Sequence, residues 1–380
     1  MVFKDYLFSV TDKALFDALC QSQITNSEMR DLFLSRGVVI STETTRDELA
    51  RLFSRYNHDY YDHQRIANAL GTIQHREKNT CVQYKTQLSK RDLEKCIEHL
   101  KNKIISDNDL CNWYEDVFGV INIDITYQTL DYSKSDFKQV VKKNAIVTIE
   151  KTNDGYDIRY PMNPHLVKYE KILHKKVRGE SESKDLDFSF DRITLFAVEN
   201  SNLRTKFFED LLSHMDGFKL YDVTDVYVYN PKPKVENKNS KESKDQSKKK
   251  EFHISKASLK GQGVLKSDEL KELYARGFYV CKIRWKFTDG MIDSDIYEAE
   301  AQFCNAEDCT DFSYINRGKF KYRGSETYTK NPVKLDAPEE TRINKAIEST
   351  ARRLMLEIIS STKEDNNNES SESKAILDSK

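Results

Sequence analysis

Near Trp113 the spacing of apolar residues changes from about 3.6 to about 2, and no single-layer helical or all-strand fold accommodates both periods. Upstream, "TDKALFDALCQ" places Leu15, Phe16 and Leu19 on one stripe behind Thr11, a residue suited to cap a helix. "SKRDLEKCIEHLKNKI" does the same for Leu93, Cys96, Ile97, Leu100 and Ile104, behind Ser89 with Asp92 three residues on. Downstream, "VINIDITY", "NAIVTIEKT" and "GYDIRYPM" alternate as strands do, with a hairpin turn expected at Asn153 to Gly155. The expected class is α+β: an N-terminal helical domain over 1–112, then two mixed α/β modules with largely antiparallel sheets.

The first module, 113–230, continues with "RITLFAVEN" as a buried strand, "LRTKFFEDLLSHMDG" as a helix and "FKLYDVTDVYVYNP" as a strand. Residues 231–251, "PKPKVENKNSKESKDQSKKKE", carry eight lysines against four acids and no aromatic residue. Such a run buries too little apolar area to offset the entropy of ordering it, so a disordered linker is expected. The second module, 252–362, repeats the order strand, helix, strand in "FHISKASL", "LKSDELKELYARG" and "FYVCKIRWKF". Gly217 and Gly277 stand where helix passes to strand in both modules and are expected in the left-handed conformation. That pattern is too common to argue for a duplication. "DIYEAEAQF" and "FSYINRGKFKYRG" add two strands, a long amphipathic helix covers 338–360, and a disordered tail is expected over 363–380.

With 61 basic and 62 acidic residues the net charge is -1, so binding to a polyanion has to come from a local patch. Seven cysteines, scattered and odd in number, fit free thiols and a cytoplasmic location. The pair in "FCNAEDC", Cys304 and Cys309, lacks the second pair a zinc site requires. No stretch approaches the ~18 apolar residues of a membrane span, and "MVFKDYLFSVTDKALF" has Asp5 where a signal segment has an apolar core, so no membrane association is expected. Phosphate-cradling, nucleophile-elbow and zinc-protease motifs do not occur, and no cofactor is expected.

The stretch "LFLSRGVVISTETTRDELARLFSRYNHD", Leu32 to Asp59, is more specific. Met29, Leu32 and Phe33 form one apolar face, and Leu49, Leu52, Phe53 and Tyr56 form another. Gly37 ends the first helix, and Thr45 with Glu48 makes a capping box for the second. Residues 27–56 resemble the SAP and HeH class of helix-extended-loop-helix DNA-binding domains. The resemblance implies that the loop and the second helix's N-terminus meet phosphate, which brings in Ser41, Thr42, Thr44, Thr45 and Arg46. Arg51 and Arg55 follow on the second helix, and Lys90 and Arg91 open a later stretch, His75 to Ile104, with eight cations against four acids. Between Glu28 and Tyr56, however, five arginines meet five acids, so the hairpin itself is neutral.

For catalysis the candidate is "DIYEAEAQF". Alternation sets Glu298, Glu300 and Gln302 on one face, and Tyr297, Ala299, Ala301 and Phe303 on the other. Asp295, Glu298 and Glu300 mimic the acids of a metal-dependent nuclease, without the lysine that follows them in such sites. A half-exposed strand with its polar residues turned outward satisfies the same pattern. His58, His63 and His75 lie near Asp59 and Asp62, but His58 and His63 are five apart, and His58 with Asp62, at helical spacing, makes only a two-ligand site, so no metal site is expected. The function expected is a non-enzymatic nucleic-acid-binding or adaptor protein with DNA or RNA as partner, of the kind that serves as an accessory in bacterial phage-defence or mobile-element systems. The alternatives are a metal-dependent nuclease and a protein-interaction subunit docking through the helix at 338–360.

Overall fold

The computed structural model describes residues 10–71, 76–231 and 254–377, with backbone alone from 363 onward. The linker beyond Pro231, the side chains of the tail and His75 therefore lie outside the described residues. The chain folds as α+β, in two compact units assembled from interleaved stretches of sequence.

The first unit takes residues 1–76, 88–150 and 165–186. Its helical part has α1 (Asp12–Leu19), α2 (Asn26–Leu34), α3 (Arg46–Phe53) and α4 (Tyr60–Leu70). Thr11, Thr25, Thr45 and Asp59 cap these helices through side-chain oxygens that accept backbone N–H groups left without partners in the first turn. Leu15, Leu19, Met29, Phe33, Leu49, Phe53 and Ile66 close one core, in which Phe33 and Phe53 meet edge to face at 5.2 Å. Burying rings of this size contributes about 2–3 kcal/mol each, which is what allows helices of two or three turns to persist.

The same unit carries an antiparallel sheet in the order β2 (Leu110–Glu115), β3 (Ile121–Leu130), β4 (Val140–Lys151), with α5 (Lys90–Ser106) and α6 (Pro164–Ser183) on one face. Trp113 donates its indole N–H to Glu98 of α5 at 2.9 Å, and His165 of α6 stacks on Tyr127 of β3 at 4.3 Å. Ser89 caps α5 as its sequence indicated. α6 falls in a stretch for which sequence reading expected no element; its stripe of Leu166, Tyr169, Leu173 and Val177 is buried.

The second unit takes residues 77–87, 151–164 and 187–380. Its sheet runs β5 (Gly155–Pro161), β1 (Asn79–Thr86), β11 (Thr310–Phe320), β10 (Ile296–Asn305), β9 (Tyr279–Thr288), β7 (Lys219–Tyr229), β8 (Lys256–Lys260), with β6 (Phe188–Arg192) also on β1. All the described pairings are antiparallel. A small hairpin of β12 (Tyr322–Gly324) and β13 (Thr327–Tyr328) follows β11. α7 (Ser201–Ser213) and α9 (Ala337–Leu377) contribute to the core with Val226, Ile283, Trp285, Ala299, Ala301, Phe303 and Phe312, while α8 (Asp268–Ala275), capped by Ser267, adds Leu270.

Several expectations need correction. β1 lies inside the stretch read as purely helical: it is a central strand that buries Thr80, Val82, Tyr84 and Thr86 on one face and leaves Gln83 and Lys85 partly exposed on the other. "RITLFAVEN" is not a strand. The strand ends at Arg192, and Ile193, Leu195 and Val198 are buried in turns, with Leu195 N–H bonded to the Cys309 carbonyl. β7 and β8, on either side of 231–251, pair with each other, so the stretches assigned to two modules build one sheet. The 338–360 helix buries its apolar stripe of Ile343, Ile347, Ala351, Leu354, Met355 and Ile358 in its own unit, which leaves no such stripe for docking. Buried polar groups anchor it there: Arg159 forks onto the Glu348 carboxylate at 2.6 Å, Tyr314 donates to the same group, and Arg352 bonds Asp157 at 3.0 Å. Gly217 and Gly277 have positive φ, as their place between helix and strand required.

Candidate nucleic-acid interface

α2 and α3 form on either side of a loop, but the polar groups there are engaged internally. Thr45 accepts the Glu48 N–H, and the Glu48 carboxylate takes the Thr45 N–H at 3.0 Å, so a carboxylate sits where an incoming phosphate would bind. Arg46 is engaged with backbone. Its guanidinium donates to the carbonyls of Gln21 and Ile24 at 2.6 Å, and so ties α3 to the chain leaving α1. The Ser41 hydroxyl accepts the Glu43 N–H, the Thr42 carbonyl accepts from Arg30 at 2.7 Å, and Thr44 N–H bonds the Ser41 carbonyl. Arg51 is exposed on α3, and Arg55 is exposed just beyond its end. Lys90 pairs with Glu115 of β2, whereas Arg91 is exposed.

His58 and His63 make contacts within the first unit. His58 contacts Arg36 and Asp62 through Nδ1 and the Phe53 carbonyl through Nε2, and burial, followed by the Arg36 charge, holds its pKa below the ordinary range. His63 stacks on Phe137 at 4.7 Å. Among the described residues no group of three or more His, Cys, Asp and Glu is arranged to hold a metal ion.

A different surface assembles in the second unit. On the sheet face away from α7 and α9, pairing sets Glu300 opposite Arg284, Gln302 opposite Lys282, and Glu298 opposite Lys286. The next strand brings Asp225 against Arg284, and β8 adds Lys260, Ser258 and Lys256. At β11 a bulge beside Glu298 and Ala299 turns Arg317 onto this face. Lys78, immediately before β1, completes it.

Glu298 and Glu300 are not outward residues of a half-exposed strand; both are buried. Glu300 holds Lys78 at 2.6 Å, Lys282 at 3.0 Å and Arg317 at 2.6 Å, and Glu298 holds Arg284 at 2.7 Å. Burial alone would raise the Glu300 carboxyl, but hydrogen bonds from Lys78, Arg317 and Lys282 more than reverse this and bring it to about 2. Burial holds Lys78 below the usual ammonium range, only partly offset by Glu300. Asp295 does not join these two acids. It pairs with Lys319 at 3.2 Å and accepts the Tyr322 N–H at 2.9 Å, at the start of the strand. With their oxygens engaged by cations, Glu298 and Glu300 act as internal counter-ions.

The result is an asymmetry of exposure. The carboxylates Glu300, Glu298 and Asp225 have side chains only 2%, 4% and 12% exposed, while those of Lys78, Lys282, Arg284, Arg317 and Lys260 range from 23% to 66%. With Lys256 and Lys286, seven cations share the face with these three acids and with the half-buried Asp222, which stands opposite Lys286, so the charge turned to solvent is positive. Two rings lie among the cations: Lys282 Nζ stands 4.4 Å above Tyr227, and Lys286 Nζ 4.6 Å above Phe320.

Sequence reading found Glu298 and Glu300 but missed the cations around them. The available signal was the alternation Lys282, Arg284, Lys286 in "CKIRWKF", the same period as Glu298, Glu300 in "YEAEAQF". Which strands lie side by side, and hence that the two rows face each other, is a tertiary fact. No protein-family model matches the chain, and no curated protein matches it.

Proposed function

We propose that this chain is a non-enzymatic nucleic-acid-binding protein whose contact surface is the cation-rich face of the second unit's sheet. The observation that carries this is the exposure asymmetry: buried carboxylates orient the cations while exposing little negative charge of their own. A phosphate backbone crossing β11, β10, β9, β7 and β8 would meet a row of Lys and Arg heads, with Tyr227 and Phe320 among them as contacts for bases. The helix-loop-helix has a lesser part in this reading, because Arg46 and the α3 N-terminus are already engaged. No step of chemistry is assigned.

The test is fluorescence anisotropy with labelled single-stranded DNA, single-stranded RNA and duplex DNA, at 50 and 200 mM salt. Lys256→Glu, Lys260→Glu and Lys286→Glu combined change the face without removing an ion-pair partner of Glu298 or Glu300. Binding by the natural chain should weaken with salt, and the triple variant should bind at least about tenfold more weakly with a shallower salt slope. An absence of binding at 50 mM salt, or equal affinity in the triple variant, would end this reading.

A further inference from the structure

We propose that the open edge of the first unit's sheet is a self-association surface, on which β2 of a second copy of this chain pairs antiparallel to β2 about a two-fold axis at Trp113. β2 is bonded to β3 along one side in an unbroken register, and no described strand lies along the other. Its sequence, Leu-Cys-Asn-Trp-Tyr-Glu, has no lysine, no proline and no bulge to protect the free edge, and its one charge, Glu115, stands at the strand's end. Apolar side chains collect around this edge. Leu110 and Tyr114 are exposed on the strand, Ile105 is exposed at the end of α5, and Val117 and Phe118 are 93% and 88% exposed at the hairpin tip.

The tip is ordered. Asp116 Oδ1 accepts the N–H groups of Phe118 at 2.9 Å and Val120 at 3.0 Å, and Gly119, at φ +79°, donates to the Asp116 carbonyl. A fixed turn that presents Val and Phe to water is organised for contact before contact is made.

The occupant follows from register. Pairing about Trp113 sets Cys111 of each copy opposite Glu115 of the other and carries the second copy's Val117 and Phe118 past Leu110, alongside Asn108 and Asp109. α5 runs antiparallel to β2, since Lys90 pairs with Glu115 while Lys101 acts on Cys111. Lys101 and Ile105, one helical turn apart, therefore flank the edge where the second copy arrives. The incoming Glu115 lies toward Lys101, and the incoming Val117 and Phe118 lie toward Leu110 and Ile105. Lys101, paired with Glu98 at 3.4 Å in its own copy, gains a second carboxylate on the far side, and the exposed apolar groups cover one another. Moving the axis to Asn112, the other register with comparable overlap, sets Glu115 against Asp109, two like charges in direct opposition. Two-fold pairing uses the same patch on both copies, so it closes at a dimer.

Sedimentation equilibrium of the full chain from 1 to 100 μM should show a monomer–dimer equilibrium, and Leu110→Asp with Phe118→Asp should raise the dimer dissociation constant at least about tenfold. Both residues are exposed, so this pair leaves the core of the monomer intact. Register is tested in a Cys304→Ser background, where Glu115→Cys should allow a short thiol cross-linker to join two chains, and adding Cys111→Ser should abolish the product. A chain that stays monomeric throughout, a dimer indifferent to the aspartate pair, or a cross-link that survives Cys111→Ser would overturn the assignment.

Discussion

Replacing Glu300 by glutamine should destabilise the second unit by about 3 kcal/mol at pH 7, by a mechanism that pH can expose. The Glu300 carboxyl is lowered from 4.5 to about 2 in the folded chain. At about 1.36 kcal/mol per pKa unit, its ionised form contributes roughly 3.4 kcal/mol, part of which is returned at Lys78. Glutamine has nearly the shape of the protonated acid and leaves Lys78, Lys282 and Arg317 converging on a neutral group. The sign follows from a depressed carboxyl: the contribution is present above pH 4.5 and is lost as pH falls toward 2. At pH 3.5 the natural chain should already have lost about 1.4 kcal/mol of it, so its advantage over Glu300→Gln narrows by that amount. Urea unfolding followed by tryptophan fluorescence reports on the second unit through Trp285, which is fully buried in its core. A difference below about 1 kcal/mol at pH 7, or one unchanged between pH 7 and pH 3.5, would refute the account of Glu300 as an ionised counter-ion.

Arg46→Ala should lower the stability of the helical part by about 1–3 kcal/mol through loss of its bonds to the Gln21 and Ile24 carbonyls, without altering affinity for nucleic acid. Circular-dichroism melting and anisotropy measure the two effects separately, and a binding defect with an unchanged melt would return Arg46 to an interface role. Gly155→Ala should cost more than about 3 kcal/mol, since its Cβ would stand 2.0 Å from the Tyr84 carbonyl oxygen and 2.9 Å from the Thr86 nitrogen, both backbone atoms. Gly37→Ala meets nothing within 4 Å and carries only the strain of φ +74°, about 1 kcal/mol, so equal losses in the two variants would contradict the steric argument. Tyr314→Phe removes a hydroxyl that donates to the buried Glu348 carboxylate and should cost about 1–2 kcal/mol, measured by denaturant midpoint; no change would mean that Arg159 alone satisfies Glu348.

Local signals carried much of the secondary structure. Thr11, Thr45 and Ser89 cap the helices they were expected to cap, because an N-cap needs only its own side chain and the next three residues. Gly37, Gly217 and Gly277 take left-handed backbones for a similarly local reason. β1 was missed because its alternation of Val82 and Tyr84 with Gln83 and Lys85 spans only a few positions between two helices, and the run after β6 was misread because Ile193, Leu195 and Val198 are buried in turns, where an apolar run alone suggests a strand.

The candidate site was legible only in part. Glu298 and Glu300 stood out as an acidic alternation, and Arg46 stood out as a cation at a helix start, yet the structure gives them roles opposite to those their chemistry suggested. Arg46 closes backbone carbonyls, and the two acids hold cations. Sequence determined which residues share a strand face, since that depends only on a period of two. Tertiary structure decided which strands lie side by side, and so set Lys282, Arg284 and Arg317 against two carboxylates and brought Lys78 to Glu300 across 222 positions of sequence. Pairing between distant strands is selected by the burial of the whole core, a sum over many residues that no local stretch contains.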